Sequence, residues 1–217
     1  MTTHSTPLTI GIYVFDQVEV LDFAGPFEVF STATRVHKRT FPEQTPFEVF
    51  TVGSYGGAYP SRTELHAANI TPIVARAGFL FTPHYSIQEH PNIDILLIPG
   101  GVVDAEMKNE TLLTWIKTIS ANTQLTASVC TGAFLLAKAN LLDQLRVTTH
   151  WEDIADLRTQ FPLLQVEENA RFIDNGKIIT SAGISAGIDM SLHIVARFAG
   201  AELAKRTARQ MEYDWRE

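Results

Sequence analysis

Strand-like apolar runs alternate with helical patterns along this chain of 217 residues. The strongest run, residues 94–99, is nearly all apolar and is followed by Gly100-Gly101, a pattern typical of a central parallel strand that is covered on both faces. Strands separated by helices predict a mostly parallel sheet with helices on both sides. The sequence therefore predicts an α/β protein, and we expect residues 1–217 to form one domain.

The predicted elements follow one another in the order that such a sheet needs. Strands are predicted at residues 8–15, 47–52, 79–85, 94–99, 125–129, 146–151 and 178–183, with short antiparallel strands within 58–73. Helices are predicted at 110–121, 131–142, 152–160 and 186–211. Another is predicted to begin at Gly25-Pro26, because the first turn of a helix tolerates a proline, which has no backbone N–H. Since ligand sites in such folds lie beyond the carboxyl ends of the strands, we expect the segments that follow the strands to form the site.

Cys130 is the single cysteine of the chain, and it lies between a predicted strand and a predicted helix. One cysteine cannot form an intramolecular disulfide and is too few for a cysteine-rich metal site. Backbone N–H groups at a helix start can lower the pKa of a thiol and hold an anion, which favours a nucleophile. The alternative is a buried structural cysteine, which packs as a small hydrophobe. Its predicted place at the edge of the sheet favours the functional interpretation.

Several residues at predicted strand ends could act with this thiol. Asp22 could orient the thiol or carry a proton, or it could cap the following helix. Gly100 and Gly101 could present backbone N–H groups to a small ligand, or they could form a tight turn. Thr131 could hydrogen-bond a substrate or cap its helix, and His150 could be a general base or a structural residue.

Three further acids lie near these segments. Glu19 and Glu28 flank Asp22 in the sequence and are alternative acids at more peripheral positions. Asp189 lies inside an apolar helical stretch, so we expect it to hydrogen-bond nearby backbone or to take part in a subunit contact.

Charge and composition narrow the classes of function. A net charge of −7 and a pI of about 5.5 argue against nonspecific nucleic-acid binding and against a basic membrane-binding patch. No apolar stretch approaches the roughly 20 residues that span a bilayer, and the N-terminus lacks the pattern of a secretory signal. One unpaired cysteine fits a reducing compartment, so we expect a cytoplasmic protein. The histidines lack metal-ligand spacing and there is no glycine-rich phosphate motif, so we expect no metal and no cofactor.

Five segments together resemble the ThiJ/PfpI superfamily and, within it, the isonitrile hydratase branch. They are residues 20–29, 97–101, 128–132, 148–151 and 180–189, in the order of the family and spread over nearly the whole chain. The resemblance implies a flavodoxin-like three-layer α/β sandwich, a homodimer and a small-molecule substrate. It implies that Cys130 is a nucleophile on a strained elbow, that Asp22 faces it and that the Gly101 N–H lines an oxyanion pocket. Thr131 matches the threonine that follows the nucleophile in isonitrile hydratases, whereas the protease-like branch has histidine there.

The activity that this resemblance implies is a lyase-type hydration of an isonitrile, R–N≡C, to an N-substituted formamide. Cys130 forms a thioimidate and Asp22 shuttles the proton, which requires a raised pKa for its carboxyl group. Two alternatives stay open: a cysteine-dependent glyoxalase-like or amidase-like enzyme for small carbonyl compounds, and a non-catalytic sensor of small molecules or oxidative stress. Val102-Val103-Asp104 and the long stretch 53–84 depart from the hydratase pattern and could border the substrate pocket.

Overall fold

The computed structural model describes residues 6–53 and 72–215, and its centre is a seven-stranded sheet. The strands are β1 (Leu8–Val14), β2 (Phe47–Gly53), β3 (Ile73–Val74), β4 (Leu80–Phe81), β5 (Tyr85–Ser86), β6 (Ile95–Ile98), β7 (Leu125–Val129), β8 (Arg146–Val147), β9 (Gln165–Val166), β10 (Phe172–Asp174) and β11 (Ile178–Ser181). The helices are α1 (Val20–Lys38), α2 (Glu110–Asn122), α3 (Gly132–Lys138), α4 (Ile154–Gln160), α5 (Ala186–Ala199) and α6 (Ala201–Gln210).

The main sheet has the strand order β10-β11-β7-β6-β1-β2-β5, and every pairing in it is parallel except that of β10 with β11. Every residue of β6 and of β7 is buried, as expected for strands that are covered on both faces. The connection from β1 to β2 crosses the sheet towards the β5 edge, and the connection from β6 to β7 crosses it towards the β10 edge. Right-handed crossovers therefore place α1 and α2 on opposite faces of the sheet. The predicted α/β sandwich with a mostly parallel sheet is confirmed.

The carboxyl ends of β1, β6, β7 and β11 lie side by side in this order of strands. The segments that follow them carry Asp22, Gly100-Gly101, Cys130 and Gly183. The predicted convergence of these segments at one edge of the sheet is therefore confirmed. His150 is an exception, because it follows β8, which pairs with β9 in a separate two-stranded sheet.

Two predicted helix boundaries were wrong. Helix α1 begins at Val20 rather than at Gly25-Pro26, so Pro26 lies inside the helix and cannot donate a hydrogen bond to the Asp22 carbonyl. The long helix predicted from Ala186 to Met211 is two helices, α5 and α6, because Gly200 between them has a φ of 97°, outside the helical range.

Other elements are shorter than predicted. The helix after Cys130 ends at Lys138, and the run 79–85 forms parts of two separate short strands, β4 and β5. Strand β3 pairs antiparallel with β4, while residues 58–71, where short antiparallel strands were also predicted, lie outside the described residues. Among the described helices, none is both long enough and apolar enough to cross a membrane.

Candidate functional site

Cys130 lies on a strained turn between β7 and α3. Its φ of 55° is in the left-handed region, which non-glycine residues rarely adopt. Its N–H faces the carbonyls of Ser181 and Ala182 at 3.2 and 3.3 Å, and its carbonyl accepts a 2.8 Å hydrogen bond from the Thr149 hydroxyl. These bonds to the end of β11 and to the loop after β8 hold the strained conformation. The turn has the geometry of a nucleophile elbow.

Gly132 allows this elbow to lie against the sheet. A Cβ atom at this position would lie 2.1 Å from the backbone oxygen of Ile98, the last residue of β6. Only glycine therefore permits the first turn of α3 to approach β6 so closely.

Asp22 is fully buried on the first turn of α1, next to the elbow. Its Oδ2 accepts a 3.0 Å hydrogen bond from the Gly100 N–H, whereas Oδ1 has no conventional hydrogen-bond donor among the described residues. Burial raises the pKa of Asp22 to about 7, and the negative charge of Glu19 adds to this rise. The Gly100 N–H, the Cys130 thiol and the Ile184 N–H act in the opposite direction. The raised pKa is in the predicted direction, and the capping alternative is wrong because the N-cap position is Glu19.

Cys130 is 7% exposed, and burial raises the pKa of its thiol to about 12. The negative charges of Asp22 and Asp153 raise it further, while the N–H groups of Thr131 and Ile184 lower it. The prediction that a helix start would lower the pKa of this thiol was wrong, because burial and the facing carboxyl group outweigh the two N–H donors. In its resting form the pair is a thiol beside a carboxyl group whose pKa is near neutral.

Thr131 clamps the turn after β6. Its hydroxyl accepts a 2.9 Å hydrogen bond from the Gly101 N–H and lies 2.9 Å from the Gly101 carbonyl, to which it donates. Thr131 occupies the predicted N-cap position of α3, but its side chain makes no capping bond there. The Gly100 and Gly101 N–H groups are thus engaged by Asp22 and Thr131. The predicted oxyanion role of these two N–H groups does not fit this structure, and they fix the two side chains instead.

We expect Thr131→Val to lower the free energy of unfolding by about 1–3 kcal/mol, because it leaves the Gly101 N–H without its partner. Thr131→Ser keeps the hydroxyl and should stay close to wild type. Urea unfolding of the three proteins, followed by tryptophan fluorescence, measures the difference. Equal midpoints for the valine and serine variants would show that the clamp contributes no stability.

His150 lies near the elbow but makes no hydrogen bond to Cys130 or Asp22 among the described contacts. Its ring packs on Gly183, where a Cβ atom would lie 2.0 Å from the ring carbon Cδ2. Its Nδ1 is 3.4 Å from Asp153 Oδ2 and 3.7 Å from Glu152 Oε2. The structure therefore places His150 in the wall of the site and does not bring it to the thiol as a general base.

A cavity of about 700 Å³ opens between the segments that hold the elbow, and neither Cys130 nor Asp22 lines it. Its lining includes Thr149, His150, Trp151, Arg158, Arg171 and Ile184. Ile184 connects this cavity to Cys130 and Asp22, because its N–H faces both residues while its exposed side chain belongs to the cavity lining. Its φ of 52° is unusual for a β-branched residue and marks a strained backbone at the site.

Several apolar side chains next to site residues in the sequence are exposed. They are Leu21, Val102, Trp151 and Ile184, and Trp151 is 75% exposed. Exposed apolar surface of this kind is typical of a site that binds a small molecule or a second protein surface. Among the residues that the structure describes, no group of three or more potential metal ligands comes together.

Comparison with known proteins places this arrangement in a family. A model of the DJ-1/PfpI family matches residues 9–197. The chain belongs to the DJ-1/PfpI family. This confirms the resemblance to the ThiJ/PfpI superfamily that the five sequence segments carry.

Two curated relatives of this DJ-1/PfpI chain are named for different functions, one as an enzyme and one as a transcriptional regulator. Isonitrile hydratase from Pseudomonas putida is 28% identical over 207 residues, which covers 95% of this chain and 78% of that protein. The HTH-type transcriptional regulator CdhR from Pseudomonas aeruginosa is 30% identical over 149 residues, which covers 69% of this chain and 44% of the regulator. The chain thus spans less than half of the length of this regulator.

A solved structure agrees with the family's fold. The crystal structure of a ThiJ/PfpI family protein from Pseudomonas syringae matches 98% of this chain and 77% of that chain with a TM-score of 0.77, at 23% identity. At this identity the match shows the fold alone.

Four residues that shape this DJ-1/PfpI site were given no individual role by sequence reasoning, although all lie in segments that carry the family resemblance: Thr149, Gly132, Gly183 and Ile184. Gly132 and Gly183 lack a Cβ atom and so let other groups approach. Ile184 acts through its backbone N–H, for which the side-chain type gives no signal. The role of Asp189 is also clearer, since this buried carboxylate accepts hydrogen bonds from Arg171 in the wall of the cavity.

Proposed function

We propose that this protein hydrates isonitriles to N-substituted formamides, with Cys130 as nucleophile and Asp22 as proton shuttle. The observation that carries the proposal is the pair itself. A buried carboxyl group with a pKa of about 7 interacts directly with the only thiol of the chain. Ile184, whose N–H faces both groups, lines a neighbouring cavity. General acid–base groups work best when their pKa lies near the operating pH.

In the first proposed step, the sulfur and a proton add to the same carbon atom. The Cys130 sulfur attacks the terminal carbon of R–N≡C, Asp22 takes the thiol proton, and Asp22 then gives this proton to that carbon. The product is the thioimidate R–N=CH–S–Cys130. Because both partners must reach one carbon, the reaction requires a carboxyl group directly beside the thiol, as found for Asp22.

In the second step, a water molecule adds to the thioimidate carbon. Asp22 takes a proton from this water and delivers it to the nitrogen, which gives R–NH–CH(OH)–S–Cys130. The carbon–sulfur bond then breaks, the hydroxyl proton returns to sulfur through Asp22, and R–NH–CHO leaves. The sum is one isonitrile and one water giving one formamide, with the thiol and carboxylate restored. The buried Oδ1 of Asp22, which lacks a conventional partner among the described residues, is the oxygen that we assign to these transfers.

The occupied glycine N–H groups favour this reaction over amidase-like chemistry. Attack on an amide carbonyl creates an oxyanion that needs preorganised donors. The Gly100 and Gly101 N–H groups are already bound to Asp22 and Thr131. Attack on an isonitrile carbon places no charge on an oxygen atom in the first step. We assign the cavity beside Ile184 to the R group, and Thr131 to holding the turn above the pair.

We also propose that residues 1–217 act as a single domain, that the protein works as a homodimer, and that it acts in the cytoplasm. One domain accords with the family match over most of the chain. The apolar side chains at the rim of the site offer a surface for a second copy.

A second candidate function is a small-molecule sensor without turnover. The matches to transcriptional regulators, such as CdhR at 30% identity over 69% of the chain, favour this candidate. In that case the same cavity binds a ligand that Cys130 does not transform.

The deciding experiment follows formamide production from cyclohexyl isocyanide by chromatography for wild type, Cys130→Ala and Asp22→Asn. Formamide from wild type, lost in both variants, supports the hydratase and both roles. A folded wild-type protein that makes no formamide contradicts the proposal, and ligand binding without turnover then favours the sensor. Turnover of methylglyoxal or of an amide would instead favour the carbonyl-directed enzymes.

The pH dependence of turnover has a definite sign. Asp22 must be ionised to take the thiol proton, so kcat/KM should rise about tenfold per pH unit below pH 7 and level off above it. The decline due to thiol ionisation is expected only near pH 12. Initial rates at subsaturating isonitrile between pH 5 and 9 give this profile. A flat profile, or one that falls with rising pH, would contradict the assignment of Asp22 as the initial proton acceptor.

A further inference from the structure

Glu19 lies directly beside the proton-carrying group and is part of the scaffold of the site. It occupies the N-cap position of α1, and its carbonyl accepts a 3.1 Å hydrogen bond from the Asp22 N–H. Its own N–H donates to the Gly100 carbonyl at 2.9 Å. The backbone of Glu19 is therefore bonded to both Asp22 and the turn that donates to Asp22. Its side chain is only 23% exposed, so solvent screens its charge incompletely.

Arg76 brings a positive charge to Glu19 from another part of the fold. Its Nη1 lies 3.2 Å from Glu19 Oε2. Arg76 belongs to the turn between β3 and β4, and backbone bonds fix this turn: the Arg76 N–H donates to the Val18 carbonyl at 3.1 Å, and the Gln17 N–H donates to the Val74 carbonyl at 2.7 Å. The position of the guanidinium group is thus supported by the backbone on both sides of the ion pair.

Titratable groups on neighbouring elements have partners of their own. The thiol of Cys130 faces Asp22 from the elbow. Helix α5 contributes Asp189, which is paired with Arg171, and the loop after β6 contributes Glu106, which accepts from the Tyr13 hydroxyl at 2.5 Å. Glu19 is the carboxylate whose charge raises the pKa of Asp22. A change in its charge or in its pairing with Arg76 therefore acts on Asp22 directly.

We propose that Glu19 and Arg76 are positioning residues that together set how tightly Asp22 holds its proton. Glu19 disfavours a second negative charge one helical turn away, and Arg76 offsets part of that effect. Loss of Glu19 should therefore make Asp22 release its proton at lower pH, and loss of Arg76 should have the opposite effect. This inference rests on the proposed role of the Cys130–Asp22 pair, but not on an isonitrile as the substrate.

The single cysteine provides a readout that needs no substrate. We would measure the rate of Cys130 alkylation by iodoacetamide against pH for wild type, Glu19→Gln and Arg76→Gln, with mass spectrometry to confirm the modified residue. Because the ionised Asp22 carboxyl group can take the thiol proton during alkylation, the rate should show a step at the first ionisation of the pair, separate from the later rise as the thiol itself ionises near pH 12. We expect the midpoint to move down by roughly 0.5 to 1 pH unit in Glu19→Gln and up by a smaller amount in Arg76→Gln, since Arg76 offsets only part of the effect of Glu19.

Matched variants separate this electrostatic effect from a merely structural one. Glu28 and Arg35 form a second Glu–Arg pair farther along α1, with 3.5 Å between Arg35 Nη2 and Glu28 Oε1, and both of its side chains are exposed. Glu28→Gln and Arg35→Gln should leave the midpoint within 0.2 unit (roughly the precision of a pH profile) of wild type. Glu19→Asp keeps the charge and should restore most of the wild-type profile.

The outcomes distinguish the two proposals. Unmoved midpoints in both Glu19→Gln and Arg76→Gln, or shifts of the same sign, overturn this inference even if isonitriles are hydrated. Opposite shifts support the inference, and they do so equally if no isonitrile turns over, in which case only the proposed activity fails. High salt supplies a further check, because screening should shrink both shifts.

Discussion

Asp22→Asn is expected to lower kcat/KM for an isonitrile by about 100- to 10,000-fold and, above pH 7, to make the protein more stable than wild type. The loss of turnover follows because the amide can neither take the thiol proton nor deliver it to carbon. The fold should survive, since the asparagine oxygen can still accept the hydrogen bond that the Gly100 N–H now gives to Asp22. A variant with turnover like wild type would contradict the proton-shuttle role.

The expected gain in stability follows from the raised pKa. Asp22 has a pKa of about 7 in the folded protein against 3.8 as the reference value. Its favourable contribution is therefore complete below pH 3.8 and is lost as pH rises through 7, because the folded state must then bury a charge. A shift of this size corresponds to at most about 4 kcal/mol between pH 4 and pH 8. Asparagine does not titrate, so the variant should lose less stability over this range.

Urea unfolding at pH 5 and pH 8 measures this difference. The free energy of unfolding of Asp22→Asn minus that of wild type should be more positive at pH 8 than at pH 5. Asp104→Asn, at an exposed position in the loop after β6, is the matched control and should show no such dependence. The same difference in the free energy of unfolding at both pH values would show that Asp22 has an ordinary pKa in the folded protein.

The opposing effects on turnover and stability explain why a buried carboxyl group is tolerated here. A group that is most useful when it can be both charged and neutral near pH 7 must lie where its charged form is disfavoured. The fold limits this penalty with the N–H groups of Gly100 and Ile184. Glu19 adds to the penalty, and its ion pair with Arg76 moderates that addition.

The sequence predicted those parts of the fold that depend on short apolar runs. Every residue of strands β6 and β7 is buried. Such strands are readily recognised, because a strand covered on both faces is apolar along nearly its whole length. The start of α1 was missed because Glu19 makes no side-chain capping bond and Pro26 suggested a first turn that lies farther along the chain. The break between α5 and α6 was missed because one glycine inside an apolar helical pattern does not by itself determine where a helix ends.

In the candidate site, the sequence predicted which residues come together but not how they interact. Cys130, Asp22, Thr131, Gly100 and Gly101 converge because they follow neighbouring strands. The direction of the thiol pKa depends on burial and on the facing carboxyl group, and both arise only from tertiary packing. The bond of Thr131 to Gly101 joins residues 30 positions apart, so no local pattern could show that it would occupy the predicted oxyanion donor.

Gly132→Ala is expected to lower the free energy of unfolding by about 3 kcal/mol or more, and to abolish turnover as well. The added Cβ atom would lie 2.1 Å from the Ile98 oxygen and 2.9 Å from the Pro99 oxygen, and both belong to the backbone that leads from β6 to the double glycine. Neither oxygen can move without displacing the sheet or the turn that holds Asp22 and Thr131. The helix must therefore move away, and Cys130, two residues before Gly132, moves with it. Urea unfolding and isonitrile turnover measure the two losses.

Gly187→Ala provides the matched control, because it makes the same change in a helix that also packs on β7. There the added Cβ atom would lie 2.9 Å from Val129 Cγ1 and 3.0 Å from Cγ2, which are atoms of a side chain. A side chain can adjust, and alanine favours a helix over glycine by about 1 kcal/mol, so we expect a net loss of less than about 1 kcal/mol. Equal losses in the two variants would show that α3 can retreat from β6 freely. The elbow would then depend on its hydrogen bonds to Ser181, Ala182 and Thr149 rather than on close packing against the sheet.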